Sequence, residues 1–207
     1  MTNPVSIVED NHYAIITLNR TAQMNALSQA MMNDLAAAVT RLRSCRHLRV
    51  IIVTGAGGIF SAGADLHEIA QVDPVTAFDF SRRGQSILKL LSRQSPADAI
   101  TIAAIDGPCL GGGLDLALAC ELRLATPRST FAHPGAKRGI ITGWGGTVQM
   151  PRLIGRTAAL RMLLTGERID AAEALRLGLI NELCDNALER ACRLADNVGT
   201  ACAQTPA

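Results

Sequence analysis

Two glycine-rich junctions, about fifty residues apart, hold the residues from which this chain could build an anion cradle. The first runs VIIVTGAGGIFSAGADLHEIA, from Val50 to Ala70, and the second ITIAAIDGPCLGGGLDLALACELRLA, from Ile100 to Ala125. In each, an apolar, β-branched run leads into a loop of small residues and then into helical periodicity. The first N–H groups of a helix have no intrahelical partner and lie at the positive end of its dipole. Gly and Ala leave such donors uncovered, and two of these ends converging on one point would hold a developing oxyanion.

Side chains near the junctions widen the chemistry. Asp115 lies in GGGLDLAL on a helix that reads as buried, where desolvation would lift its pKa into the acid/base range. It could equally cap or pair locally at the helix start. His133 precedes Gly135 by two, so on a strand both would share a face, and His133 would either reach the pocket or bond a neighbouring backbone group. Trp144, the only tryptophan, reads as a packing residue or a pocket wall. Glu68 and Glu121 read as members of surface or local ion pairs.

The elements that must position these groups are legible from periodicity. Residues 4–19 read as two short strands around an Asp10-Asn11 turn, and Met24 to Leu42 as a helix with Ser28 as a cap. Strands follow at Arg49 to Thr54, Thr101 to Asp106, Leu122 to Ala125, Thr130 to His133 and Leu179 to Cys184. Helices are expected from Asp65, at Ala77 to Leu91, Gly113 to Cys120, Thr147 to Leu153, Thr157 to Leu164, Asp170 to Leu177 and Ala187 to Ala203. The unit strand, strand, helix recurs without a linker or a repeat at fixed period, which implies an α/β architecture.

Composition narrows the function classes. The 207 residues suffice for one domain with a proper core, and 18 glycines with only 3% aromatics point to close backbone packing. A net charge of +2 gives no footprint for nucleic acid or a membrane surface, and the run Arg41 to Arg49 reads as a solvated helix end. The six cysteines lack CxxC pairing and zinc spacing, so they read as reduced thiols of a cytoplasmic protein, with no metal. The N-terminus does not read as a signal peptide, and the longest apolar stretch is too interrupted to span a bilayer. There is no P-loop, no G-x-G-x-x-G and no G-x-S-x-G elbow.

Five segments in order, LNRTAQMNALSQAM, IFSAGADLHEI, AAIDGPCLGGGLDLALAC, FAHPGAKRGIITGWGGT and LIGRTAALRMLLTGERIDAAEALRLGLINEL, resemble the crotonase (enoyl-CoA hydratase/isomerase) superfamily over nearly the whole chain. The resemblance implies a crotonase-like spiral of repeated ββα units, residues 1–185, and a shortened C-terminal helical region beginning in residues 186–207. It implies an acyl-CoA substrate, with coenzyme A as part of the thioester and no permanently bound cofactor, and a homo-oligomer, trimer or hexamer. By position, the backbone N–H groups of Ala64 and Gly112 would grip the thioester oxygen. The segment Ala62, Ala64, Asp65, Leu66 and His67 would line the CoA surface, and the Gly143 amide would help to seat a water.

Two positions depart from the family pattern. Asp115 stands where the hydratases place their first glutamate, one methylene shorter. Gly135 stands where they place the second, which removes the two-carboxylate arrangement that water addition uses. The expectation is therefore an enoyl-CoA hydratase/isomerase-type enzyme that stabilises a thioester enolate with Asp115 as its single acid/base. The alternative is a CoA-thioester-binding paralogue or assembly subunit without turnover.

Overall fold

The computed structural model describes residues 3–92, 95 and 98–203, and of residues 200–203 the backbone alone. Among these, a six-stranded sheet in the order β1-β2-β3-β4-β6-β9 forms the scaffold. The strands are β1 (Val5–Glu9), β2 (Tyr13–Leu18), β3 (Val50–Gly55), β4 (Ile100–Ile105), β6 (Leu122–Ala125) and β9 (Glu182–Leu183). Only the first pair is antiparallel; each later neighbour is parallel. A three-stranded sheet of β5 (Pro108–Leu110), β7 (Thr130–Ala132) and β8 (Ile169–Asp170) stands apart from it. The helices are α1 (Gln29–Ser44), α2 (Leu66–Ile69), α3 (Ala77–Lys89), α4 (Gly112–Ala119), α5 (Gly146–Thr165), α6 (Ala171–Leu177) and α7 (Ala187–Ala203).

The central strands are apolar throughout because both faces are covered. Val50, Ile52, Ile102, Ala104 and Leu124 meet Ala187, Ala191 and Ala195 of α7, an i, i+4 row small enough for the helix to approach closely. Their neighbours Ile51, Val53, Ala103, Ile105 and Ala125 face the larger core, with Met31, Leu35 and Leu42 of α1. On α4, every residue from Gly113 to Leu118 is buried, Asp115 included. That helix is the carrier of the site.

Three expectations need correction. The helix expected from Met24 begins at Gln29, capped by Ser28, whose Oγ accepts from Met31 N. Met24 and Asn25 have φ of 51° and 52°, outside the right-handed helical region, and the buried Asn25 side chain donates to Ala56 O and Ile59 O instead. The strand expected at Leu179 to Cys184 contracts to Glu182–Leu183. Gly135 does not lie on a strand with His133: β7 stops at Ala132, and Pro134 opens a 3₁₀ turn, Pro134–Arg138, because proline cannot donate to a ladder. The helical break expected between Leu153 and Thr157 is present, at Gly155 with φ 77°.

Candidate functional site

The first junction is clamped on two sides. Leu27 pairs with Ala64 and Ser61 with Cys109, both parallel, through Leu27 N to Gly63 O at 2.8 Å and Leu110 N to Ser61 O at 2.9 Å. Ser61 Oγ accepts from Gly63 N at 3.1 Å and donates to Asn25 O at 2.8 Å, so the bend is held from inside. Gly63 has φ +102°, and a Cβ there would stand 2.8 Å from Leu110 O and 3.1 Å from Gly112 N. A Cβ on Gly112 would stand 3.1 Å from Ala64 N. The two junctions interlock through their glycines, and this brings the Ala64 and Gly112 amides together. Among the described residues neither amide donates to a protein acceptor.

Both amides line one cavity of about 390 Å³, mostly apolar, with Asp115, His133, Gly135, Gly143 and Trp144 also in its wall. Of the segment expected to line the CoA surface, Ala62, Ala64 and Leu66 line this cavity. Asp65 does not: its carboxylate caps α2 through His67 N and accepts from Arg20 Nη1 at 3.1 Å. His67 is exposed on α2, outside the cavity wall. The Gly143 carbonyl accepts from Ser81 Oγ and Gln85 Nε2, each at 2.7 Å, which fixes the peptide that precedes Trp144. Trp144 packs on Phe80, ring centroids 5.5 Å apart, and forms a wall.

Asp115 is 3% exposed. Burial raises its pKa to about 7, against the pull of the Thr142 hydroxyl, which donates to Oδ2, and of the Gly146 amide at the start of α5. His133 is 4% exposed, and burial pushes its pKa down to about 4, so it is uncharged at neutral pH. Its Nε2 lies 3.4 Å from Asp115 Oδ1. The backbone partner that a buried histidine commonly finds is not what Nε2 faces here. Glu68 accepts from Gln29 N at 2.8 Å, and Glu121 from Thr101 N at 2.7 Å. Among the described residues no group of three or more His, Cys, Asp and Glu could hold a metal ion.

Several contributors carry no sequence signal of their own. Thr142, Ser61 and Asn25 act through contacts with distant residues. Arg138 and Arg168 also line the cavity and add positive groups to it. The Pro immediately after His133 was the one available warning that Gly135 leaves the strand.

Parallel strands joined by helical crossovers, with two glycine-rich junctions interlocked beside a buried carboxylate, make up a crotonase-type scaffold. The enoyl-CoA hydratase/isomerase family matches residues 9–205, and the chain belongs to that family, within the crotonase superfamily. Its relatives include the probable enoyl-CoA hydratase echA8 of Mycobacterium tuberculosis, 39% identical over 187 residues, 88% of this chain and 70% of that protein. The (E)-benzylidenesuccinyl-CoA hydratase of Thauera aromatica is 39% identical over 183 residues, with the same coverage of 88% and 70%. Among solved structures, Pseudomonas aeruginosa DspI superposes with a TM-score of 0.89 at 35% identity, covering 96% of this chain and 81% of that one.

Proposed function

We propose that this protein transforms an acyl- or enoyl-CoA thioester, holding the carbonyl oxygen between the Ala64 and Gly112 amides and moving a proton with Asp115. The observation that carries this reading is the pair of unpartnered amides beside a buried carboxylate in one apolar cavity. An enolate oxygen at the amides would gain charge-assisted hydrogen bonds in a desolvated site. Asp115, poised near neutrality, suits both taking and returning a proton. Arg138 and Arg168 would meet an anionic part of the thioester. No permanently bound cofactor is needed for these steps.

The second carboxylate of a water-adding site has no place here. A Cβ on Gly135 would stand 2.7 Å from Ile140 O, and Ile140 N donates back to Gly135 O at 2.9 Å. Proton shifts or C–C cleavage therefore fit better than hydration. Incubation with a panel of enoyl-, dienoyl- and malonyl-type CoA thioesters, read by mass spectrometry, should give isomerised or decarboxylated products. Absence of any conversion across the panel would overturn the enzymatic reading. The absence of a side chain at Gly135 also favours the second reading, a CoA-thioester-binding subunit without turnover, which that result together with retained binding would support.

Self-association into trimers or hexamers, and a cytoplasmic location, belong to the same proposal. The exposed Val75, Phe78, Ile141 and Leu164 offer apolar surface for it. Sedimentation velocity should show an oligomer, and a monomer at micromolar concentration would count against it.

A further inference from the structure

Resting on the role proposed for Asp115, we propose that Asp115 and Thr142 form a proton relay that His133 positions, His133 holding one carboxylate oxygen and Thr142 connecting the other to the cavity. In this relay His133 is a positioning residue that acts through Asp115. Oδ1 and His133 Nε2 are both sealed from solvent and lie 3.4 Å apart, and among the described residues neither has a formed hydrogen bond, to each other or elsewhere. Two buried polar atoms left facing each other in this way are costly unless they bond. Hydrogen bonds of an unliganded site often tighten only when the ligand arrives.

The surroundings keep that geometry. A Cβ on Gly146 would stand 2.3 Å from Oδ1 and 2.9 Å from Nε2, so glycine there leaves the space that the pair occupies. Oδ2 takes the Thr142 hydroxyl hydrogen, and Thr142 is half-buried in the cavity wall. With Oδ1 enclosed, Oδ2 is the oxygen that exchanges the proton. A proton leaving a substrate carbon reaches Oδ2 directly or through the Thr142 hydroxyl, which then accepts from Oδ2 rather than donating to it. The electron pair of the broken C–H bond stays on the substrate as the enolate. Nε2–H donates to Oδ1 throughout, and the imidazole neither gains nor loses a proton.

The titratable groups around this relay come from several elements. They are the Cys109 thiol of β5, held neutral by burial, Lys89 of α3 beside the neighbouring cleft, Lys137 next to Gly166, and Arg138 and Arg168 at the cavity wall. Asp115 pushes the Cys109 thiol further up, and none of the others contributes to the shift of Asp115 or of His133. Of the side chains, Thr142 acts on the Asp115 carboxyl through a formed hydrogen bond, and His133 Nε2 stands 3.4 Å from its other oxygen.

The test follows the Asp115 carboxyl by ¹³C NMR against pH, assigned with Asp115→Asn, and needs no substrate. In His133→Leu the carboxylate loses a donor, and its midpoint should rise from about 7 by about one pH unit. His133→Gln supplies a neutral N–H and should hold the midpoint near that of the parent. Thr142→Val should raise it as well, and if His133→Leu does not fold, His133→Met, which also removes the donor, decides the question. On a turned-over thioester the same variants should shift the pH profile of kcat and leave KM unchanged. An unmoved midpoint in His133→Leu, or a shift in His133→Gln as large as in His133→Leu, would overturn the relay. Full turnover by Asp115→Asn would instead overturn the function on which the relay rests.

Discussion

Asp115→Asn is expected to lose turnover by about 10²–10⁴-fold while binding a CoA thioester as tightly as the parent protein. The substitution keeps the shape of the side chain, and its carbonyl can still accept from Thr142 or from the Gly146 amide. What it cannot do is take a proton near neutrality. The Ala64 and Gly112 amides, which would grip the carbonyl, belong to the backbone of other positions and stay in place. Single-turnover kinetics beside calorimetric titration with a non-reactive thioester separates the two effects. Retained turnover would show that another group moves the proton. Loss of binding together with turnover would show that Asp115 is structural.

The same variant carries a stability signature with a definite sign. Asp115 has a folded pKa of about 7 against an ordinary 3.8, so folding favours its protonated form. Its contribution is intact below pH 4 and is lost as pH rises toward 7. His133 runs the other way: its pKa of about 4 lies below the ordinary 6.5, so its contribution is present above pH 6.5 and is lost as pH falls toward 4. In wild type the two slopes oppose each other between those limits. Asparagine removes only the first. Urea midpoints should therefore show the variant gaining on wild type from pH 4 to 7 and staying ahead above it. An inactive protein that is more stable than its parent at pH 8 is what a functional buried carboxylate predicts.

Legibility from sequence followed the range of the interaction involved. The capped helix at Asp170 and the break at Gly155 are local, and Asp170 Oδ1 accepts from Glu173 N as its spacing implies. The strands β5 and β8 have three and two residues, too short for periodicity, and they exist through pairing with β7. Met24 to Leu27 has helical spacing, yet Asn25 is fully buried and ties the loop to Ala56 and Ile59, which overrides propensity. Small residues mark the two junctions, but the choice of Ala64 and Gly112 within them comes from the family resemblance alone. The meeting of His133 with Asp115 could not be placed, because α4 must first be buried and β7 must first be stopped by Pro134. A side chain aimed at a partner on another element leaves no pattern in its own segment.

The Gly112 site makes the second large prediction, because its backbone alone would permit alanine. Its φ lies outside the left-handed region, and it begins α4, so the obstacle is space. A Cβ there would stand 2.7 Å from Trp144 Cζ3 and 3.1 Å from Ala64 N. Trp144 cannot simply retreat: it is 8% exposed, packs at a tilt against Phe80, and a Cβ on Gly84 would already lie 2.2 Å from its indole nitrogen. Either the ring or the pair of amides must move. Overpacking of this kind costs about 1–3 kcal/mol of stability, and displacing one oxyanion donor costs about 10²–10³ in kcat. Gly112→Ala should therefore lose turnover far beyond its loss of stability, as measured by kcat and by urea denaturation on the same preparation. Adding Trp144→Leu opens the space taken by the methyl group and should restore part of kcat, a coupling that two independent sites would not show. If Gly112→Ala alone turns over like wild type, the amides do not hold the carbonyl.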